Sequence, residues 1–355
     1  MTSKERVRAA LMHQKTDRVP TTITCVEAAW ENLKKYLNVS SQEDILRHFE
    51  IDTRIMDLPP YIGPEIKPFQ NRNGETVYTH PFGYQYIFKW NGAEYNCHVV
   101  NTPYDEINTL DELERYEDWI NPDYFDYNAV TEFVKKNEEK AIRIGWPGPY
   151  QVFTYLYDTE EFYINMCEEP ELIKAMLNRY CKSIYEIYER MYEAANGQVD
   201  IMCCCDDYGT QISTLFSPSM WDAFFMENTK MFVDQAHRYG AFYMQHSCGA
   251  VRTIIPNLIR CGVDALDPIQ KVTGMEPEGL KKDFGDVLCF QGGVDTQHIL
   301  PHGTPEEVYE ETTRIIKALY QDGGYILCAS QAFEGDVPPQ NICALYEAAK
   351  QFRCK

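Results

Sequence analysis

Short, nearly unbroken apolar runs recur along the chain, separated by longer stretches with helical spacing. From about residue 140 the runs cover 142–147, 200–205, 242–246, 265–269, 287–291 and 325–328. Continuous hydrophobicity over so few residues marks strands covered on both faces, as in a parallel sheet. All but the last are followed closely by Gly or Pro, a turn signal. Two earlier runs, 19–26 and 53–58, raise the number of predicted strands to eight. Eight strands alternating with helices predict an α/β fold, a (β/α)8 TIM barrel. A doubly wound open sheet is the alternative, but no Gly-rich dinucleotide fingerprint follows the first strand.

The helical stretches carry their own start signals. Ser217-Pro218 opens a helix to about His237, and another long helix follows Pro170 towards Ala195. Thr304-Pro305-Glu306-Glu307 reads as a capping box with a first-turn proline, opening a helix to about Tyr320. The region of about 60–100 breaks the pattern. Over 74–90, aromatic and polar residues alternate (Tyr78, His80, Phe82, Tyr84, Tyr86, Phe88), which predicts an antiparallel hairpin. It reads as an insertion roofing one end of the barrel. The whole chain, 1–355, then forms one domain with a helical and hairpin addition in its N-terminal part.

Composition narrows the function classes. Asp plus Glu outnumber Lys plus Arg by 54 to 33, a formal net charge of −21. Such a field repels nucleic acid and anionic lipid, and it disfavours a heavily carboxylated substrate unless the pocket holds its own arginines. No run of about 18 apolar residues occurs, and the charged N-terminus lacks an apolar stretch behind it. The expectation is a cytoplasmic protein; a homo-oligomer is left open. The 13 cysteines then read as reduced thiols, buried small hydrophobes or metal ligands, as an anaerobic host would allow.

In this fold the chemistry sits at the C-terminal ends of the strands. The polar residues there are Trp146-Pro147-Gly148, Asp206-Asp207-Tyr208-Gly209, His246-Ser247-Cys248-Gly249, Asp267-Pro268, Gln291-Gly292-Gly293-Val294-Asp295 and Cys328 through Gln331. His246 and Cys248 are alternate residues at one strand end, so both can address one point. Imidazole and thiolate suit Zn²⁺, and Cys328 across the mouth is the candidate third donor; three ligands and an open position make a catalytic zinc site. The competing reading is a buried His and Cys that merely pack.

Of the adjacent Asp206 and Asp207, one capping a turn and the other facing the pocket avoids burying two charges. Asp207 is the candidate for proton handling. Neighbours in Cys203-Cys204-Cys205 face opposite sides, so they are mostly core, with Cys204 or Cys205 able to approach a metal. Gly292-Gly293 suits either close backbone approach to a ligand or a tight turn. Trp146, Tyr208, Gln291, Asp295 and Gln331 are the candidate substrate-binding residues.

These motifs carry a resemblance. DDYGTQ (206–211), FSPSMW (216–221), HSCG (246–249), GVDALDPIQ (262–270), FGD (284–286), GGVDTQHILPHGTPEEV (292–308), GGYIL (323–327) and VPPQNI (337–342) resemble the uroporphyrinogen decarboxylase superfamily. They are most similar to its branch of cobalamin-dependent methyltransferases, and KERVRAAL…DRVP (4–20) fits that branch too. The decarboxylases of the superfamily carry an N-terminal arginine-containing segment that grips acidic side chains; 19–37 here contains no arginine. The resemblance therefore implies methyl transfer between a small substrate (a methoxyarene first, a methylamine or thiol otherwise) and the cobalt of a corrinoid on a partner protein. It also implies zinc as Lewis acid on a His-x-Cys plus a distant Cys. His246 and Cys248 match the first two positions. Gln331 stands at the third, so Cys328 three residues earlier, Asp206, Asp207 or a cysteine of 203–205 would have to serve instead. Two other functions stay in play: a metal-independent decarboxylase or lyase acting on a small acid through Asp207, and a non-catalytic protein that binds a corrinoid partner.

Overall fold

A computed structural model describes residues 1–90, 95–117, 119–321 and 323–352. In chain order its strands are β1 (Thr53–Met56), β2 (Phe69–Gln70), β3 (Thr76–Thr79), β4 (Gln85–Trp90), β5 (Tyr95–Asn101), β6 (Ala141–Ile144), β7 (Val199–Cys205), β8 (Phe242–His246), β9 (Ala265–Ile269), β10 (Cys289–Val294) and β11 (Tyr325–Ala329). Seven of them form one curled parallel sheet in the order β1-β6-β7-β8-β9-β10-β11. Helices intervene between consecutive strands from β6 onward. The fold is thus α/β, and seven of the eight predicted strands are present.

The eighth run, 19–26, departs from the expectation. It meets β11 and its sequel only through isolated bridges, Thr21 with Leu327 and Cys25 with Phe333. Leu327 donates its N–H to Pro20 O (2.8 Å) and accepts that of Thr22 (3.1 Å). On the other side Asp52, just before β1, donates to Thr21 O at 3.0 Å. Pro20 has no N–H to give, which interrupts a regular ladder. Charge holds the stretch instead: the buried Asp52 carboxylate takes Arg6 Nη1 at 2.7 Å, Arg18 Nη1 at 2.8 Å and the Thr21 N–H at 2.9 Å.

Strand periodicity explains the two sides of the sheet. Ala141, Ile201, Cys203, Met244, Ala265, Cys289 and Ile326 pack together with Val7 and Leu11 of the first helix, Ser3–Leu11. Their alternates pack against the outer helices. The helices at Pro170–Ala195 and Pro305–Leu319 start where the sequence predicts, the second with the Thr304/Glu307 capping box in place. The single helix expected from Ser217 to His237 is two, Pro218–Phe224 and Met226–Arg238. It breaks at Phe225, whose ring is drawn among those of Tyr150, Tyr208 and Phe216.

The hairpin expected over 74–90 is real but larger, a four-stranded antiparallel sheet β2-β3-β4-β5; residues 91–94 lie outside the described ones. Tyr78 stacks on Tyr86 across the β3–β4 pair at 5.6 Å, and Tyr84 packs on Tyr155 at 5.4 Å. His80 stacks on Tyr84 and accepts the Phe82 N–H at Nδ1. Burial holds its imidazole down at about 4. A depressed histidine contributes stability above its unfolded value of about 6.5 and loses it as pH falls through the folded value. Stability is therefore expected to fall by roughly 2–3 kcal/mol between about pH 6.5 and pH 4. Denaturant unfolding across that window should show the slope, and His80→Phe should flatten it.

Candidate active site

The C-terminal ends of the parallel strands surround a cavity of about 290 Å³. Trp146, Asp207, His246, Gln291, Cys328 and Gln331 of the predicted residues line it. His246 ends β8 and β7 brings Cys205 alongside it in register. The chain then turns, so that Asp207 and Cys248, beyond the two strand ends, fall beside the imidazole. His246 Nε2 lies 3.6 Å from Cys248 Sγ and 3.6 Å from Asp207 Oδ1. Among the described residues, the His, Cys and acidic side chains whose donor atoms all come within 4.8 Å of one another are Asp207, His246 and Cys248. Nitrogen, sulfur and oxygen donors so close are a set that suits a tetrahedral divalent ion.

Each donor is held from behind. Asp267, at the centre of β9, accepts from His246 Nδ1 at 2.6 Å and from Gln291 Nε2 at 2.6 Å. That bond puts the His246 proton on Nδ1 and leaves Nε2 facing Cys248 and Asp207. Gln331 donates Nε2 to Cys248 Sγ at 3.0 Å and is itself oriented by the Ala332 N–H. Asp207 Oδ1 accepts the Cys248 N–H at 2.9 Å. Burial opposes charge on His246, but its bonds to Asp267 and Cys248 outweigh it and raise the imidazole well above its usual range. Asp267 is correspondingly lowered against its own burial. Burial pushes the Cys248 thiol up, with His246 pulling the other way.

Several expectations need correction. Cys328 lines the cavity, but its sulfur is outside the Asp207–His246–Cys248 group. It is buried at the end of β11, where desolvation pushes its thiol up to about 12. Tyr208 does not reach the cavity: the turn after Asp207 sends its ring into a cluster with Tyr150, Trp221 and Phe225, and its hydroxyl donates to Asp206 Oδ2. Asp295 is also absent from the lining; its carboxylate is spent on the local turn, accepting from Gln297 N and His298 Nδ1. Gln291 is buried and serves Asp267. Asp206 takes the turn role, accepting the Tyr150 and Gln151 N–H groups at 2.8 Å each. Cys203 and Cys204 are buried, and Cys205 alone of that trio lines the cavity. Gly292 and Gly293 have left-handed φ and pack against Pro268 and Ile315, a close approach of backbone to core.

Asp267 and Arg143 are the members of the site that sequence reasoning passed over. Asp267 stood among the strand-end residues without a role. Arg143 carried a signal in plain view, a cation inside the apolar run Ala-Ile-Arg-Ile.

The Cys248 backbone is wedged into place. A Cβ at Gly209 would lie 2.5 Å from Cys248 O, and Gly249, at φ +87°, approaches Gly209 as closely. Gly209→Ala is expected to displace that peptide and to cost roughly 1–3 kcal/mol, as overpacking does. Denaturant unfolding of the variant measures it.

Comparison with known proteins places the chain in a family. No curated protein matches the sequence. Among solved structures, a methyltransferase from Methanosarcina mazei is similar over 99% of both chains, with a TM-score of 0.68 and 18% identity. A 3-keto-L-gulonate-6-phosphate decarboxylase from Vibrio cholerae shares 11% identity over 64% of this chain and 80% of its own, with a TM-score of 0.31. The family described as uroporphyrinogen decarboxylase (URO-D) matches residues 83–352. With three quarters of its length inside that match, the chain belongs to the uroporphyrinogen decarboxylase family.

Proposed function

We propose that this chain is a corrinoid-dependent methyltransferase that moves a methyl group between a small substrate and the cobalt of a corrinoid on a partner protein. The observation that carries the reading is the convergence of Asp207, His246 and Cys248 donor atoms within 4.8 Å at the edge of the cavity. The residues fit zinc: one nitrogen, one sulfur and one oxygen donor, with the histidine oriented by a carboxylate. Asp207 takes the place foreseen for Cys328. Zinc held there supplies Lewis acidity to the heteroatom that bears the methyl group.

The chain's own residues do the rest. Asp267 and Gln291 hold the imidazole so that Nε2 is the nitrogen turned towards Cys248 and Asp207. Gln331 donates to the Cys248 sulfur and so favours its thiolate. Trp146 and Tyr155 give the cavity flat aromatic walls. At about 290 Å³ the cavity is at the low end for ligand pockets, roughly 300–1,000 Å³, which suits a small substrate and argues against an enclosed tetrapyrrole. The fold likeness to a methyltransferase supports the same assignment. With the stretch 19–26 as its eighth stave, the sheet would close as a (β/α)8 barrel whose open end receives the corrinoid protein. No helix among the described residues is long and apolar enough to cross a membrane.

The test is an anaerobic assay following cob(I)alamin conversion to methylcobalamin against methoxyarenes, methylamines and methyl thioethers, with zinc measured in the same preparation. Zinc near one per chain and activity lost on chelation are the expected results. Methylcobalamin formation that survives chelation would remove zinc from this reading, whereas no methylcobalamin but carbon dioxide released from a small acid, and lost in Asp207→Asn, would replace it with a metal-independent decarboxylase.

A further inference from the structure

Arg143 is the unsatisfied cation of the cavity. Its side chain is only 11% exposed, yet its ion-pair partner is Asp57 Oδ1, 3.5 Å from Nη2 and on a side chain 56% exposed. Its Nε is fully buried with no hydrogen-bond acceptor. The other buried arginines are treated differently. Arg6 pairs with Asp17 at 2.6 Å and Asp52 at 2.7 Å. Arg54 takes Glu43 at 2.8 and 3.0 Å, with the Ile51 and Thr53 carbonyls besides. A guanidinium keeps its charge under all ordinary conditions, so burying one with idle donors is costly unless something else completes it.

The surroundings say what that would be. Arg143 sits on the same cavity as His246, and the carboxylates lining that cavity are Asp207 and Asp267, the second of which acts on Arg143 through its charge. In a chain of net charge −21, Arg143 is the permanently charged cation among the side chains lining this cavity. The guanidinium fork matches a carboxylate with two parallel bonds. Trp146, Tyr155, Pro268 and Ala332 supply apolar and aromatic wall beside the polar side chains of Thr24 and Gln151. We propose that Arg143 anchors the carboxylate of the substrate, which is therefore a small monocarboxylic acid carrying its methyl group at the end nearer His246 and Cys248. This rests on the methyl-transfer reading of the same cavity for the role of the methyl group, but the anchor itself can be measured without turnover.

The experiment is calorimetric titration of the whole protein with 3-methoxybenzoate, (methylthio)acetate and N,N-dimethylglycine, each beside its primary amide and the first also beside its sulfonate analogue. At least one acid should bind about 10- to 100-fold tighter than its amide, the range of a charge-assisted pair. Arg143→Gln should erase that preference, and Arg143→Lys should keep part of it. The proposal is overturned if no acid binds, if acid and amide bind alike, if the sulfonate alone binds, or if folded Arg143→Gln keeps the preference. Should Arg143→Gln not fold, Arg143→Lys decides: an acid preference kept in full with the guanidinium fork gone would overturn the anchor. Acid-selective binding without methyl transfer would count against the function proposed above and leave the anchor standing.

Discussion

Alanine at His246 or at Cys248 is expected to strip the protein of zinc and to lower methyl transfer by about 1,000-fold or more. The scale follows from Lewis-acid catalysis, worth several kcal/mol at the reacting heteroatom, with each 1.36 kcal/mol a factor of ten in rate. Removing either side chain leaves two donors, too few to hold a divalent ion against water. His246→Ala also leaves Asp267 buried with Gln291 as its remaining bonded partner, so its thermal stability should fall as well. Cys248→Ala is the cleaner variant, since it removes a half-buried sulfur whose bonds are to His246 and Gln331. Elemental analysis of the purified variants, with the cob(I)alamin assay in parallel, checks both halves. A variant with normal zinc and normal rate would remove the pair from the site. Asp207→Ala belongs to the same test, because its loss of zinc would separate it from Cys328→Ala, which should keep the metal.

The second large effect is expected at Asp267, which touches no substrate in this scheme. Its two oxygens each accept a bond, from His246 Nδ1 and from Gln291 Nε2. Asparagine has one acceptor to offer both donors. Its amide NH₂ turned towards His246 would push the ring proton onto Nε2, the nitrogen that must be free. Asp267→Asn is therefore expected to lower zinc affinity by about 10- to 100-fold, the usual cost of losing such a support. The pH dependence distinguishes this from simple unfolding. With the imidazole held well above its ordinary range by Asp267, a metal must displace its proton, so zinc affinity rises with pH and weakens as pH falls. In Asp267→Asn the histidine protonates less readily, so the acid-side weakening should move to lower pH while the affinity at high pH drops. Competition with a chromogenic chelator over a pH series reads both. An unchanged affinity and profile would show that Asp267 does not orient the histidine.

By itself the amino-acid sequence determined the element pattern and where chemistry would collect. Unbroken apolar runs such as Tyr325–Ala329 read as strands covered on both faces, and alternation with helices makes them parallel. His246 and Cys248 were legible for a local reason: the period of two at a strand end places alternate residues together whatever the rest of the chain does. Asp207 was legible as a strand-end carboxylate and as one of several candidates to complete the His246 and Cys248 set, though not as the one among them that lies beside His246. Three things were decided only by tertiary structure. Which side chain completes the donor group depends on distances across the sheet, and these put Asp207 rather than Cys328 beside His246. The hold of Asp267 on His246 Nδ1 joins residues 21 apart on neighbouring strands. The sparse partnering of Arg143 appears only when every acceptor around it is known, because an arginine in an apolar strand says that a charge is buried and not what it waits for. Local periodicity is a property of short windows, whereas donor geometry and charge satisfaction come from segments that only the folded chain brings together.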